Sequence, residues 1–179
     1  PDFGALMEKL RLRVRREGPQ LFLSSRLAAK DRAHPIKEIQ ADARNPVELE
    51  EAIWTVLGAP AAARSEARGE QQLPFERLTR VRYGKYVAIV EGHFETAVRG
   101  KAMTGVKLRL VDRGEEVGVS GKALEDIVRA GTPSYETLAK ELRHWHQTIR
   151  LAAIKAVGEI VRSAPSWWDS MVLATRMRW

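Results

Sequence analysis

The hydrophobic pattern of this chain changes to a period of two after Pro74, and this change constrains the fold more than any other feature. Four segments then alternate apolar and polar residues, separated by glycine-containing turns: LTRVRYG, KYVAIVEGHFETAVRG, TGVKLRLVDRG and EEVGVSG. Such alternation predicts strands with one buried face and one exposed face. Because the connections are short, we expect a meander of three to four antiparallel strands within residues 73–121.

The residues before this meander are interpreted mainly as helices. The apolar residues of Asp2–Arg16 follow one helix face, but the segment LRLRVRR also alternates, so a strand remains open there. A second helix is predicted to begin at Pro46, with Asn45 as its N-cap, and to end at Gly58. The small and polar residues 59–72 indicate a linker or mobile loop.

The residues after the meander are also predicted to form helices. The segment KALEDIVRAG indicates a short helix, closed by Gly131. A long C-terminal helix is expected to start at Thr132-Pro133-Ser134 and to end before Pro165, with Trp145 as a packing anchor on its apolar stripe. We therefore predict a single α+β domain with the long helix packed on the sheet. Its parts are a helical N-terminal part (1–58), the linker (59–72), the β-meander (73–121), helices (122–164) and an apolar tail (165–179).

Charge and cysteine content limit the classes of function. The net charge is +7 and the isoelectric point is near 10.0, a balance typical of proteins that bind polyanions, most often nucleic acids. The chain has no cysteine, which excludes disulfides, thiolate catalysis and zinc ribbons, and slightly favours an intracellular location (cytoplasm, nucleoid or nucleus, or mitochondrion). No apolar run approaches the ~18 residues of a membrane span, so we expect no membrane partner.

Motifs for catalysis or for cofactor binding are not found. The segments RGKAMTG and SGKAL contain Gly-Lys, but they lack the upstream glycine and the hydroxyl residue of a phosphate-binding loop. Glu115 and Glu116 are adjacent in a strand and would point to opposite faces. In a regular helix His144 and His146 would point away from each other and could not share a metal ion. The sequence thus predicts a protein that is not an enzyme and needs no cofactor or metal.

Basic residues are concentrated in three regions: the first predicted helix, the stretch after LFLSS, and the polar faces of the strands. Lysine and arginine in such places contact phosphate oxygens without reading the bases. The candidate nucleic-acid-binding residues are Arg13, Arg15, Arg16, Arg26, Lys30, Arg80, Arg82, Lys107, Arg109, Arg143 and Arg150. Tyr83, Tyr86 and Phe94 lie among the strands and are candidates for stacking on unpaired bases, although strand aromatics more often belong to the core.

The segment LRVRREGPQLFLSSRLA, Leu12 to Ala28, resembles a segment of the eukaryotic single-strand annealing repair proteins of the Rad-fifty-two type. In that family a helix with Leu-Arg-x-Arg leads to Gly-Pro and then to Ser-Ser-Arg. The resemblance implies binding of single-stranded DNA along a basic groove, ring formation and strand annealing, with Arg26 in contact with DNA. The family's Tyr-Ile-Glu-Gly after Ser-Ser-Arg, and its Asn-Gly-Trp after the second helix, are absent here.

Two hypotheses for the function follow. The first is a non-enzymatic protein that binds nucleic acid, single-stranded DNA in preference to RNA, and promotes strand annealing in recombination or repair as a homo-oligomer. The alternative is a structural or adaptor subunit of a larger nucleoprotein, phage or mobile-element assembly. In the alternative, a protein partner docks on the apolar tail, which equally could pack on the chain's own core. The tail residues concerned are Trp167, Trp168, Met171 and Trp179.

Overall fold

The computed structural model describes residues 3–25, 38–59 and 75–162. The fold is α+β, as predicted, with helices, antiparallel sheets and a C-terminal helix that contacts a sheet. In chain order the elements are α1 (Phe3–Lys9), β1 (Leu12–Glu17), β2 (Gln20–Ser25), β3 (Ile39–Asp42), α2 (Pro46–Val56), β4 (Arg80–Tyr83), β5 (Tyr86–Val98), β6 (Lys101–Leu110), β7 (Glu116–Val119), α3 (Lys122–Glu125), β8 (Val128–Arg129), α4 (Tyr135–Glu141) and α5 (Gln147–Arg162). Among the described residues, no helix is long and apolar enough to cross a membrane.

Contacts within the chain group its residues into two compact units. Of the described residues, the first unit contains 3–25, 38–59, 133–143 and 153–162, and the second contains 75–132 and 144–152. The boundaries differ from those of the predicted segments, because the C-terminal helical region contributes residues to both units. The single domain expected from the sequence stays a prediction.

The first unit contains an antiparallel sheet with the strand order β1-β2-β3. The expectation of a helical N-terminal part over residues 1–58 is therefore wrong where these strands lie. In β1, Leu12 and Val14 are buried and lie opposite Ser25 and Leu23 of β2. A strand forms here because the alternation places both apolar side chains on one face of the sheet. The family resemblance implies a helix over Leu-Arg-x-Arg, but in the structure these residues form strand β1.

Helix α2 begins and ends where the sequence predicts. The side chain of Asn45 accepts hydrogen bonds from the backbone N–H groups of Val47 and Glu48, at 3.2 and 3.3 Å. Gly58, with φ of +98°, follows the last turn and adopts the left-handed conformation that favours glycine at a helix end. Both ends depend on residues adjacent in sequence, so local chemistry was enough to locate them.

The second unit contains a five-stranded sheet with the order β7-β6-β5-β4-β8. Strands β4 to β7 form the predicted antiparallel meander. The helix predicted over KALEDIVRAG is wrong beyond Glu125, because Val128 and Arg129 form β8 instead. These two residues pair with Arg82 and Val81 on the free edge of β4. Pairing with this edge satisfies backbone groups that a continued helix would leave exposed.

The two faces of this second sheet differ in composition. One face carries the core of the unit, which includes Val81, Ala88, Val90, Val106 and Leu108, all fully buried. Tyr83 and Tyr86 are half-buried and pack against this core, so these two aromatics lie on the core face and not on the opposite one. We call the opposite face the outer face. It is defined by Arg80, Arg82, Ile89, Phe94, Lys107 and Arg109.

The long C-terminal helix of the prediction consists of two helices, α4 and α5, separated by residues 142–146. Ser134 caps α4 by accepting a hydrogen bond from the Thr137 N–H at 3.2 Å, as the predicted start requires. The prediction that Trp145 is a packing anchor in a helix is wrong, since Trp145 is 69% exposed and lies between the two helices. A new helix begins after this break, and His146 Nδ1 accepts a hydrogen bond from the Thr148 N–H in its first turn.

Candidate nucleic-acid interface

The strand register aligns the outer face into rows across the second sheet. Ile89 of β5 lies between Arg80 of β4 and Arg109 of β6. Further along, Lys107 lies opposite Gly92 and also opposite Gly118 of β7. Directly opposed residues in antiparallel strands share a face. The alternation in the sequence therefore predicted correctly that Arg80, Arg82, Lys107 and Arg109 lie on one face, away from the core.

Arg109 is held by the protein itself. Its Nε and Nη2 donate to the two carboxylate oxygens of Glu91 at 2.6 and 2.8 Å. Nη1 donates to the carbonyl oxygen of Gly114 at 2.9 Å, and Nη2 also reaches Glu116 at 3.2 Å. The hydrogen bond from Arg109 holds the pKa of Glu91 below its usual value. This bidentate pair neutralises Arg109, which makes it a poor phosphate ligand.

Phe94 lies on the outer face where the sheet is lined with glycine. A Cβ atom added to Gly105 would come within 2.2 Å of the ring, and one added to Gly118 would lie 3.4 Å from it. The ring therefore occupies space that any side chain at Gly105 would need. Phe94 keeps part of its surface exposed. Glycine within a strand signals such a close approach, and Gly105 and Gly118 are the two positions in the sequence that carry this signal for Phe94.

Lys107 is the cation next to this ring. It follows Gly105 by two residues on the same face of β6, and it is exposed. Among the described residues it makes no ion pair, and neither does the exposed Arg82 on the same face. Arg80 is only partly exposed and interacts with other groups. Ile89 is fully buried, so the open part of the outer face lies around Lys107 and Phe94.

The connection between α4 and α5 is fixed by side chains. Nη1 of Arg150 donates to the carbonyl oxygens of His144 and Trp145, at 2.7 and 2.9 Å. His144 Nδ1 accepts from the His146 N–H at 2.9 Å, and His146 Nδ1 accepts from the Thr148 N–H at 3.1 Å. Arg150 is thus engaged within the protein. Burial lowers the pKa of His146 and keeps its imidazole neutral, as its role as an acceptor requires.

The predicted cations of the first unit also have partners in several cases. Arg15 pairs with Glu17 and, at 3.0 Å, with Glu38, and its guanidinium lies 4.3 Å from the centre of the Phe22 ring. Arg16 donates to a backbone carbonyl at 2.8 Å. Arg13 and Arg143 are exposed. Six further predicted residues lie outside the described part of the chain: Arg26, Lys30, Trp167, Trp168, Met171 and Trp179.

Within the described ranges, no cluster of three or more histidine, aspartate and glutamate side chains is arranged to hold a metal ion. Comparison with known proteins gives no relative: no protein-family model matches the chain, and neither a curated protein nor a solved structure is significantly similar to it. The resemblance of residues 12–28 to the annealing proteins therefore stays a prediction.

Proposed function

We propose that the chain is a non-enzymatic nucleic-acid-binding protein that holds a single strand on the outer face of its second sheet. One observation carries this proposal: Phe94 lies partly exposed over Gly105, beside Lys107, a cation without an ion pair among the described residues. Aromatic rings on a sheet surface stack on unpaired bases, while neighbouring cations contact the phosphates. Bases inside a duplex do not offer their faces for stacking, so the combination favours a single strand.

The contributions of the two residues differ in kind. Stacking of one base on an aromatic side chain contributes about 1–3 kcal/mol and tolerates any sequence. The ammonium group of Lys107 attracts phosphate without regard to sequence and releases counterions on binding. Binding should therefore be sequence-tolerant and sensitive to salt. DNA as the preferred strand, assembly as a homo-oligomer, and strand annealing in recombination or repair are proposed from the family resemblance of residues 12–28.

Reversal of the charge at Lys107 tests the electrostatic part of the proposal. We expect Lys107→Glu to weaken binding of a labelled oligothymidylate roughly tenfold at low salt, as measured by fluorescence anisotropy. Lys122→Glu is the matched control, because Lys122 is exposed on α3, whose Leu124 packs against the core face. The control should bind like the unchanged protein. Equal weakening by both variants, or no binding by the unchanged protein at low salt, would contradict the proposal.

Substitution of Phe94 tests the stacking part separately. Phe94→Leu keeps an apolar side chain over Gly105 but removes the aromatic face, so affinity should fall by about five- to 150-fold. Phe94→Tyr retains the ring and should bind like the unchanged protein. Thermal unfolding of both variants checks that the sheet is intact. If Phe94→Leu binds as tightly as Phe94→Tyr, no base stacks on this residue.

A further inference from the structure

Strands β5 and β6 extend well beyond their neighbours and form a two-stranded ribbon, which we call the arm (residues 94–105). The partners of β5 in β4 end at Ile89, and the partners of β6 in β7 end at Val106. Beyond these points β5 and β6 pair with each other from Phe94↔Gly105 to Val98↔Lys101. At ~3.3 Å per residue the arm is roughly 17 Å long.

The tip of the arm is a tight turn with a basic and an apolar part. Arg99 and Gly100 connect the strands and both have positive φ, +51° and +76°, as a two-residue type I′ turn requires. Arg99 and Lys101 are exposed and make no ion pair among the described residues. Val98 is 47% exposed. Two unpaired cations thus accompany an exposed apolar side chain at the end of a narrow projection.

We infer that the arm inserts into the major groove of a DNA duplex, a binding site in addition to the single-strand surface proposed above. The shape supports this inference, because a groove ~12 Å wide admits a two-stranded ribbon. The charge supports it as well: Arg99 and Lys101 make the tip positive, which favours its approach to a groove flanked by phosphates, and Glu95 is the one acidic residue of the arm. An isolated two-stranded ribbon is marginally stable in water, so contacts on both of its sides would favour it.

The shape of the major groove also determines which kind of duplex the arm can bind. The major groove of A-form RNA is deep and too narrow for protein side chains to read. The arm should therefore bind a DNA duplex and discriminate against an RNA duplex of the same sequence.

The test uses a variant that removes the charges and keeps the turn. Arg99→Asn creates Asn-Gly, the preferred pair for a type I′ turn, and Lys101→Gln removes the second cation. We expect this double variant of the full chain to bind a labelled DNA duplex roughly tenfold more weakly. The slope of log affinity against log salt should become shallower by about 1.8, since two phosphate contacts are lost. Binding of oligothymidylate should change less than about twofold.

The matched control removes two exposed cations at the opposite end of the second sheet, Arg113→Gln with Lys85→Gln. It should keep the duplex affinity and the salt slope. Equal losses of duplex affinity in the control and in the arm variant would overturn the inference. An unchanged slope of log affinity against log salt in the arm variant would also overturn it. So would binding of the RNA duplex with the same affinity as the DNA duplex. A fall in the solution mass of the arm variant, measured by light scattering, would also overturn it and identify the arm as a contact between copies of the chain. Failure of the unchanged protein to bind duplex, while it still binds oligothymidylate, would reject the arm alone and leave the proposed function standing.

Discussion

Individual charged residues serve two different purposes in this protein. Arg109 and Arg150 donate their hydrogen bonds to groups of the chain itself. Lys107 and Arg82 are exposed without ion pairs in the described structure. The sequence does not separate these two groups, because Arg109 and Lys107 have the same position in the alternation of β6. The difference comes from Glu91, which is 18 residues away in sequence from Arg109.

The hydrogen bond that His146 accepts at the start of α5 should depend on pH. Burial, followed by the charge of Arg109, lowers the pKa of His146 below its usual 6.5 in the folded protein. As the pH falls, the imidazole of His146 is therefore protonated in the unfolded chain before it is protonated in the folded protein. The stabilisation by the cap is complete above about pH 6.5, and it is lost as the pH falls through the lower pKa of the folded state. Loss of the acceptor at Nδ1 should cost about 1 kcal/mol. Urea unfolding at pH values on both sides of this window measures the effect.

His146→Asn is the control for that measurement. Asparagine keeps an acceptor for the Thr148 N–H but does not titrate. The charged or titratable groups around the imidazole are Arg109, Glu91, His144 and Arg150. All four are present in both proteins, and the pKa of Glu91 is lowered, so its carboxylate stays ionised through this window. A pH dependence of unfolding that is the same in both proteins would contradict the assignment to His146.

At the scale of elements, the long hairpin of β5 and β6 carries the proposed surfaces. Phe94 marks the point where the hairpin leaves the sheet, and the glycines beneath the ring determine its position. The pattern of the sequence predicted both strands and the face on which Lys107 lies. It did not predict that β5 and β6 would outreach their neighbours, because the lengths of β4 and β7 decide this.

Two glycine substitutions test the packing of the ring. A Cβ atom at Gly105 would clash with the ring of Phe94 at 2.2 Å, whereas one at Gly92 would meet nothing within 4 Å. We expect Gly105→Ala to lower the free energy of unfolding by about 1–3 kcal/mol, the usual range for overpacking. Gly92→Ala, on the same face, should change it by less than about 0.5 kcal/mol. Urea denaturation with an unchanged m value provides the measurement, and equal effects of the two substitutions would show that the ring is not fixed as described.

At the scale of the whole molecule, the net charge of +7 is consistent with a polyanionic partner, but not every basic residue is available to contact it. Among the described residues, Arg15, Arg44 and Arg109 form ion pairs with carboxylates of the chain itself. The alternative function, an adaptor that docks through its apolar tail, concerns residues outside the described part of the chain and stays a prediction.

Salt dependence tests the whole-molecule charge. If the two or three cations that the outer face leaves available contact the phosphates of a single strand, log affinity should fall against log salt with a slope of roughly −1.4 to −2.1. Titration of oligothymidylate at several salt concentrations measures this slope. A slope near zero would mean that the excess of basic residues plays no part in binding. A slope much steeper than this range would require cations beyond the outer face.

Features that depend on near neighbours can be predicted from the amino-acid sequence alone. These are the strands β4 to β7, the ends of α2, and the division of the second sheet into an apolar and a basic face. Tertiary structure decided the features that depend on distant residues: the pairing of β8 with β4, the capture of Arg109 by Glu91, and the exposure of Trp145. The reason is physical, since periodicity and capping act over a few residues, whereas a strand edge, an ion pair or a buried surface exists only after separate segments have come together.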